Sequence, residues 1–157
     1  MPNEIRNVFI SHVHEDDDGL KKTRDLLSKH GLDIRDGSIN SEKPNNAQSP
    51  DYIKNEILKP RIKWSGCLLV YITPETKNSD WVNWEIEYAQ KHGKKIIGIW
   101  AYGESGCEVP DALDEYNDAI VSWDAKKIIE AIRGDIIGSE NPDGTTRNSR
   151  PIERYGC

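Results

Sequence analysis

Short runs of apolar, largely β-branched residues alternate with helix-length segments along most of this chain, and that alternation restricts its architecture more than any other feature. Val8-Phe9-Ile10 is followed by a helical pattern over 16–30, whose Leu20, Leu26 and Leu27 form a modest apolar stripe stopped by Gly31. Leu32-Asp33-Ile34-Arg35 reads as a second strand, and the Asn-, Ser-, Gly- and Pro-rich stretch 36–49 as a loop. Ser49-Pro50-Asp51 has the composition of a helix start, and that helix should run to Trp64 unless Pro60 kinks or ends it. Cys67-Leu68-Leu69-Val70-Tyr71-Ile72 is continuously apolar, as a central strand covered on both faces must be. A loop over 74–80, a helix over 81–92 stopped by Gly93 and a strand over 95–100 follow. Loop 102–111, a short strand over 118–123 and a last helix over 125–133 complete the pattern. Strands separated by helices of this length must lie parallel, because the return crossing is made by the helix. The expected fold is a single doubly wound α/β domain with a mainly parallel sheet of five strands, flavodoxin-like in kind. It should occupy residues 1–137, and the polar segment 138–157, without periodicity, reads as a poorly ordered tail.

A length of 157 residues suits one domain with a proper core. With 21 basic against 27 acidic residues, the net charge of −6 gives nucleic-acid backbone binding no electrostatic basis. The longest apolar runs are far too short to span a bilayer, and the first residues lack the basic-then-apolar pattern of a secretory signal. Cys67, Cys107 and Cys157 are odd in number and widely spaced, which argues against a disulfide framework or a thiolate zinc site. His12 and His14 have no third ligand at a credible spacing, so no metal is expected. A cytoplasmic protein, binding neither nucleic acid nor membrane, is the expectation.

Parallel α/β sheets take their ligands beyond the carboxyl ends of the strands. Along the helix 81–92, advanced at about 100° per residue, Trp81, Trp84, Tyr88, Ala89, Val82 and Ile86 share one arc, and Glu85 falls near its centre. Asn83, Glu87, Gln90 and Lys91 point to the opposite side. A carboxylate among Trp and Tyr loses hydration, and such perturbed groups concentrate at functional sites. The same pattern suits a Glu at the edge of the arc, solvated or paired with Lys or Arg.

Val8-Phe9-Ile10-Ser11, followed by an acidic turn and a helix, resembles the first strand and loop of TIR domains. Trp81-Val82-Asn83-Trp84-Glu85-Ile86, followed by Gly93-Lys94-Lys95-Ile96-Ile97-Gly98-Ile99, resembles the small bacterial TIR-like proteins of the Thoeris anti-phage system. The similarity runs roughly over residues 7–133. It implies an enzyme that cleaves NAD, with Glu85 as the catalytic carboxylate and cyclic ADP-ribose isomers among the products. NAD is then a substrate, and no cofactor is implied. The implied partners are an effector protein that senses the product downstream and, through self-assembly, further copies of the chain.

The chemistry suits that residue type. Breaking the nicotinamide–ribose bond passes through an oxocarbenium-like state, which one ionised carboxylate against the ribose can stabilise. Nicotinamide departs as a neutral ring, so no strong acid is needed at the leaving nitrogen. Ser11 and His12, at the end of the first strand, stand as candidates for the ribose or phosphates, although a strand-end Ser is as often a turn residue. Arg35 and Asp36 end the second strand; Arg35 could meet a phosphate bidentately or form a surface ion pair. Trp81 and Tyr102 are candidate walls of the pocket. Neither a G-x-G-x-x-G fingerprint nor a P-loop occurs. Thr73 stands where a response-regulator receiver needs its phosphoacceptor Asp, which removes that reading. Two alternatives remain: a non-catalytic TIR interaction module, and a nucleoside deoxyribosyltransferase, which would need a second carboxylate near Glu85 and has only Asp36 to offer.

Overall fold

The computed structural model describes residues 3–13, 16–37 and 53–147. The chain forms β1 (Glu4–Ser11), α1 (Asp17–Lys29), β2 (Leu32–Asp36), a π-helical segment (Ile53–Leu58), α2 (Lys59–Trp64), β3 (Cys67–Ile72) and α3 (Asp80–Lys91). It continues through β4 (Lys95–Trp100), α4 (Asp111–Tyr116), β5 (Ala119–Val121), α5 (Ala125–Arg133) and β6 (Gly138–Ser139). All pairings are parallel, and the strand order is β2-β1-β3-β4-β5-β6.

The period of two along each strand divides the core into two layers. Val8, Ile10, Leu69, Tyr71, Ile97 and Ile99 face α1 and α5, where Leu27, Ile128 and Ile132 meet them. Phe9, Leu68, Val70, Ile72, Ile96 and Trp100 face the other way, onto Ile62 of α2, Val82, Ile86 and Ala89 of α3 and Leu113 of α4. Gly98 lets α4 approach β4: a Cβ there would stand 3.0 Å from Ile72 Cδ1, 3.0 Å from Leu113 Cδ2 and 3.1 Å from Ile120 Cγ1.

Local chemistry explains most boundaries. The Ser79 hydroxyl accepts the Val82 amide at the start of α3, and Gly93 ends that helix with φ 69°. Asp124 caps α5 through the Lys127 amide, and Gly134 closes it at φ 85°. Pro60 neither breaks nor ends its helix. The chain changes helix type just before it, and Pro60 sits in the first turn of α2, directly after the π-helical segment. The helix start at Ser49-Pro50-Asp51 and all but the first two residues of loop 36–49 lie outside the described residues.

Two expectations need correction. Among the described residues the sheet has six strands, and β6 comes from the segment read as a tail. Glu140 explains both this strand and the short β5. Its carboxylate accepts the Ser122 amide at 3.2 Å, which ends β5 at Val121, and meets Lys127 Nζ at 3.1 Å. Its carbonyl accepts the Trp100 indole N–H at 2.6 Å. Glu140 also bridges Thr146 in a tight antiparallel return, and Arg147 reaches Asp114 at 3.0 Å in a nearly buried ion pair. Polar anchors, not an apolar face, dock this segment, so no hydrophobic period announces it. Residues 148–157 lie outside the described residues.

Candidate active site

β1 lies between β2 and β3, so successive crossovers leave it in opposite directions, and ligand crevices form at such a switch point. β1 ends there on Ser11, buried at 1% exposure and in register with Val70 of β3. Ser11 follows the alternation of Phe9 and faces the layer that contains α3. On α3 the buried positions Val82, Glu85, Ile86 and Ala89 follow the i, i+3, i+4, i+7 stripe of a core-facing helix. Glu85 is therefore turned inward, as its place on the arc predicts, and is 8% exposed.

The Ser11 hydroxyl donates to Glu85 Oε1 at 2.5 Å. Asp36, at the end of β2, accepts the Ile10 amide on Oδ1 at 3.1 Å, one residue before Ser11. Burial pushes the Glu85 carboxyl up to about 8; the Ser11 hydrogen bond pulls it down, and the Asp36 charge pushes it further up. Both bland accounts of Glu85 fail: it is not solvated, and among the described residues no ion pair joins it to Lys or Arg.

Trp81 lies one helical turn before Glu85 and is 39% exposed. Lys54 Nζ sits 5.5 Å from the Trp81 ring centre and 5.3 Å from that of Trp84. Trp84 stacks on Tyr88 at 5.4 Å between ring centres. This aromatic ladder runs along α3; Lys54 carries no signal in the sequence because its contacts depend on how the segment before α2 packs.

The remaining candidates fall elsewhere. His12 has Nδ1 3.0 Å from the Ile10 carbonyl oxygen, a local bond beside the end of β1. Arg35 is exposed and lies over the Trp64 ring, 6.0 Å from its centre, and among the described residues nothing ties it to Glu85. Tyr102 does form a cavity wall, but on the opposite face of the sheet. Its ring meets Trp123 edge-on at 6.2 Å, and it lines a cavity of about 310 Å³ with Asp16, Lys22, Tyr71 and Thr73 on the α1 side. His14 lies outside the described residues, and among the described residues no group of three or more His, Cys, Asp or Glu is placed to hold a metal ion. Among the same residues, no helix is long and apolar enough to cross a membrane.

A parallel sheet in this order, with a buried carboxyl group brought by the helix after the third strand to the end of the first, defines a TIR-type domain of the flavodoxin-like class. The TIR domain of the Toll-related receptor TRR-2 from Hydra magnipapillata superposes with a TM-score of 0.51 at 18% identity, covering 82% of this chain and 92% of that one. A conserved protein from Enterococcus faecalis V583 gives 0.52 at 10% identity, covering 84% and 99%. These likenesses concern the fold. The family model described as Thoeris protein ThsB, TIR-like domain, matches residues 9–105, and the chain belongs to that family. A curated protein of Cytobacillus dafuensis, named "Putative cyclic ADP-D-ribose synthase TIR2", is 26% identical over 121 residues. The match takes in 76% of this chain and 32% of that protein, so the chain spans about a third of its relative's length.

Proposed function

We propose that this protein cleaves the nicotinamide–ribose bond of NAD and releases an ADP-ribose-type product, cyclic when a base atom of the same molecule captures the cation instead of water. Glu85 is the catalytic residue. The observation that carries the reading is a carboxyl group 8% exposed at the switch point of a parallel sheet, held by a hydroxyl and, among the described residues, by no cation. A fixed carboxylate in a poorly hydrated site is suited to an oxocarbenium-like transition state, because it needs no reorganisation as positive charge develops on the ribose.

The raised proton affinity of Glu85 fits a cationic substrate. In the resting protein the carboxyl holds its proton near neutral pH, and the positive nicotinamide ring of NAD favours its loss on arrival. Trp81, at the rim one turn away, offers a face for a flat ring. The product then serves as a second messenger in anti-phage defence, read by a separate effector protein, and activity awaits a trigger or self-assembly because uninterrupted NAD loss would harm the cell. Family membership and the name borne by the Cytobacillus relative support this reading.

One observation favours a second reading. Asp36 lies close enough to Glu85 for its charge to act on it, as the paired carboxylates of a nucleoside deoxyribosyltransferase would require. Incubating the protein with NAD under activating conditions and measuring free nicotinamide tests the first reading; base exchange between deoxynucleosides in place of nicotinamide release would establish the second.

A further inference from the structure

Glu85 receives a hydrogen bond from one strand and the charge of a carboxylate on the next, both distant from it in the sequence. Ser11 Oγ, buried at the end of β1, donates at 2.5 Å, whereas Asp36 at the end of β2 brings a negative charge from the neighbouring strand. Neither is placed by accident of a flexible chain: Ser11 is locked by its register with Val70, and Asp36 by its bond to the Ile10 amide at 3.1 Å. We infer that Ser11 and Asp36 are positioning residues for Glu85, the Ser11 hydroxyl holding the carboxyl group in place and the Asp36 carboxylate, fixed to the Ile10 amide on the neighbouring strand, opposing its charge. This assigns both residues to the proton of Glu85 instead of to the nucleotide contacts expected from their strand-end positions.

The two act with opposite sign for simple reasons. A hydroxyl donor stabilises a carboxylate more than a neutral acid, and a neighbouring negative charge does the reverse. Three other charged or titratable groups among the described residues near α3 meet partners other than Glu85. Lys54 lies over the Trp81 and Trp84 rings, Lys59 over Tyr88, and His12 against the Ile10 carbonyl. Within the limit that burial sets, the hydroxyl and the carboxylate adjust in opposite directions how readily Glu85 ionises when a cationic substrate arrives. The inference rests on Glu85 as the catalytic residue, but its proton can be followed without catalysis.

The test compares wild type, Ser11→Ala, Ser11→Thr and Asp36→Asn. Asn at position 36 keeps an oxygen for the Ile10 amide and removes only the charge. Nicotinamide release from NAD, measured as kcat/KM against pH, should rise through a midpoint that Ser11→Ala moves up and Asp36→Asn moves down, each by about half to one pH unit. Ser11→Thr, which retains the hydroxyl, should restore the wild-type midpoint. The second arm uses no substrate: the unfolding free energy of each protein is followed against pH and compared with the same protein carrying Glu85→Gln. The pH at which that difference levels off should move in the same two opposite directions. Displacements in the unfolding arm without nicotinamide release from any protein under activating conditions would support the inference and sink the NAD-cleavage reading. Midpoints that stay in place in the unfolding arm, or move in one direction for both variants, would overturn the inference whatever the activity.

Discussion

The Ser11 hydroxyl and Glu85 Oε1 lie 2.5 Å apart although 74 positions separate them in the chain. This contact joins the end of the first strand to the buried face of the helix after the third. It also makes Glu85 a carboxyl group whose main neighbour is a hydroxyl, in a layer otherwise built from Val82, Ile86 and Ala89. Its ionisation therefore carries consequences for rate and for stability.

Glu85→Gln should lower NAD cleavage by about 10²–10³, or roughly 3–4 kcal/mol in the barrier, because it keeps the shape but removes the charge opposed to the oxocarbenium-like state. Glu87, on the exposed side of the same helix, is the control, and Glu87→Gln should leave the rate within a few-fold. Nicotinamide release under activating conditions measures both. Equal rates for wild type and Glu85→Gln would favour the interaction-module reading.

The pH dependence of activity follows from the same residue. Since burial holds the free carboxyl at about 8 and the role proposed for Glu85 uses its ionised form, kcat/KM should climb with pH through neutrality and level off above about 8. The cationic ring of bound NAD favours the carboxylate, so the midpoint for kcat should lie below that for kcat/KM. A kcat/KM profile that is flat between pH 6 and 9 contradicts this.

Stability should run the other way. The folded-state value for Glu85 is raised above the unfolded 4.5, so folded chains hold a proton that unfolded chains have lost. The stability of the protonated form is fully present below pH 4.5 and is lost progressively up to about 8. At pH 7 the loss is on the order of 3 kcal/mol. Glu85→Gln should thus unfold at higher denaturant concentration than wild type at pH 7–9, the gap narrowing towards pH 4.5. A gap that widens on acidification would mean the opposite sign of shift.

Arg147→Ala should cost about 2–3 kcal/mol, since it removes the cation beside the nearly buried Asp114 carboxylate and one anchor of the C-terminal segment. Ending the chain at Ile137 should cost more, because the bonds of Glu140 to Ser122, Lys127 and Trp100 go with it. Thermal unfolding unchanged by the truncation would show that this segment contributes nothing to the core.

Gly98→Ala should destabilise by about 1–3 kcal/mol through overpacking, as three side-chain atoms stand within 3.1 Å of the new methyl group. Chemical denaturation would register this as a lower midpoint with little change in slope.

Much of this was legible without coordinates. The continuous apolar run 67–72 and the largely apolar stretch 95–100 are strands with those same bounds, because a segment covered on both faces leaves little freedom in its assignment. Glu85 on the buried arc of α3 follows from the helical period alone, as does Glu87 on the outside. What faces Glu85 does not follow, since periodicity orients a residue relative to its own element and says nothing of which element lies opposite. Ser11 reaches it through strand register, and Asp36 through the side-by-side pairing of β1 and β2. Tyr102 shows the same gap: its position after β4 is plain from sequence, but the ring turns to Trp123 on the α1 face, away from Glu85. The C-terminal segment shows it most clearly. Polar residues at 138–147 have no hydrophobic period to declare a strand, and only the meeting of Glu140 with Ser122, Lys127 and Trp100 gives them a place in the sheet. Local chemistry thus settled which stretches become strands and helices and which face of each turns inward. Tertiary structure decided which polar groups share the interior, because a buried carboxyl or amide takes its character from partners that sequence spacing does not encode.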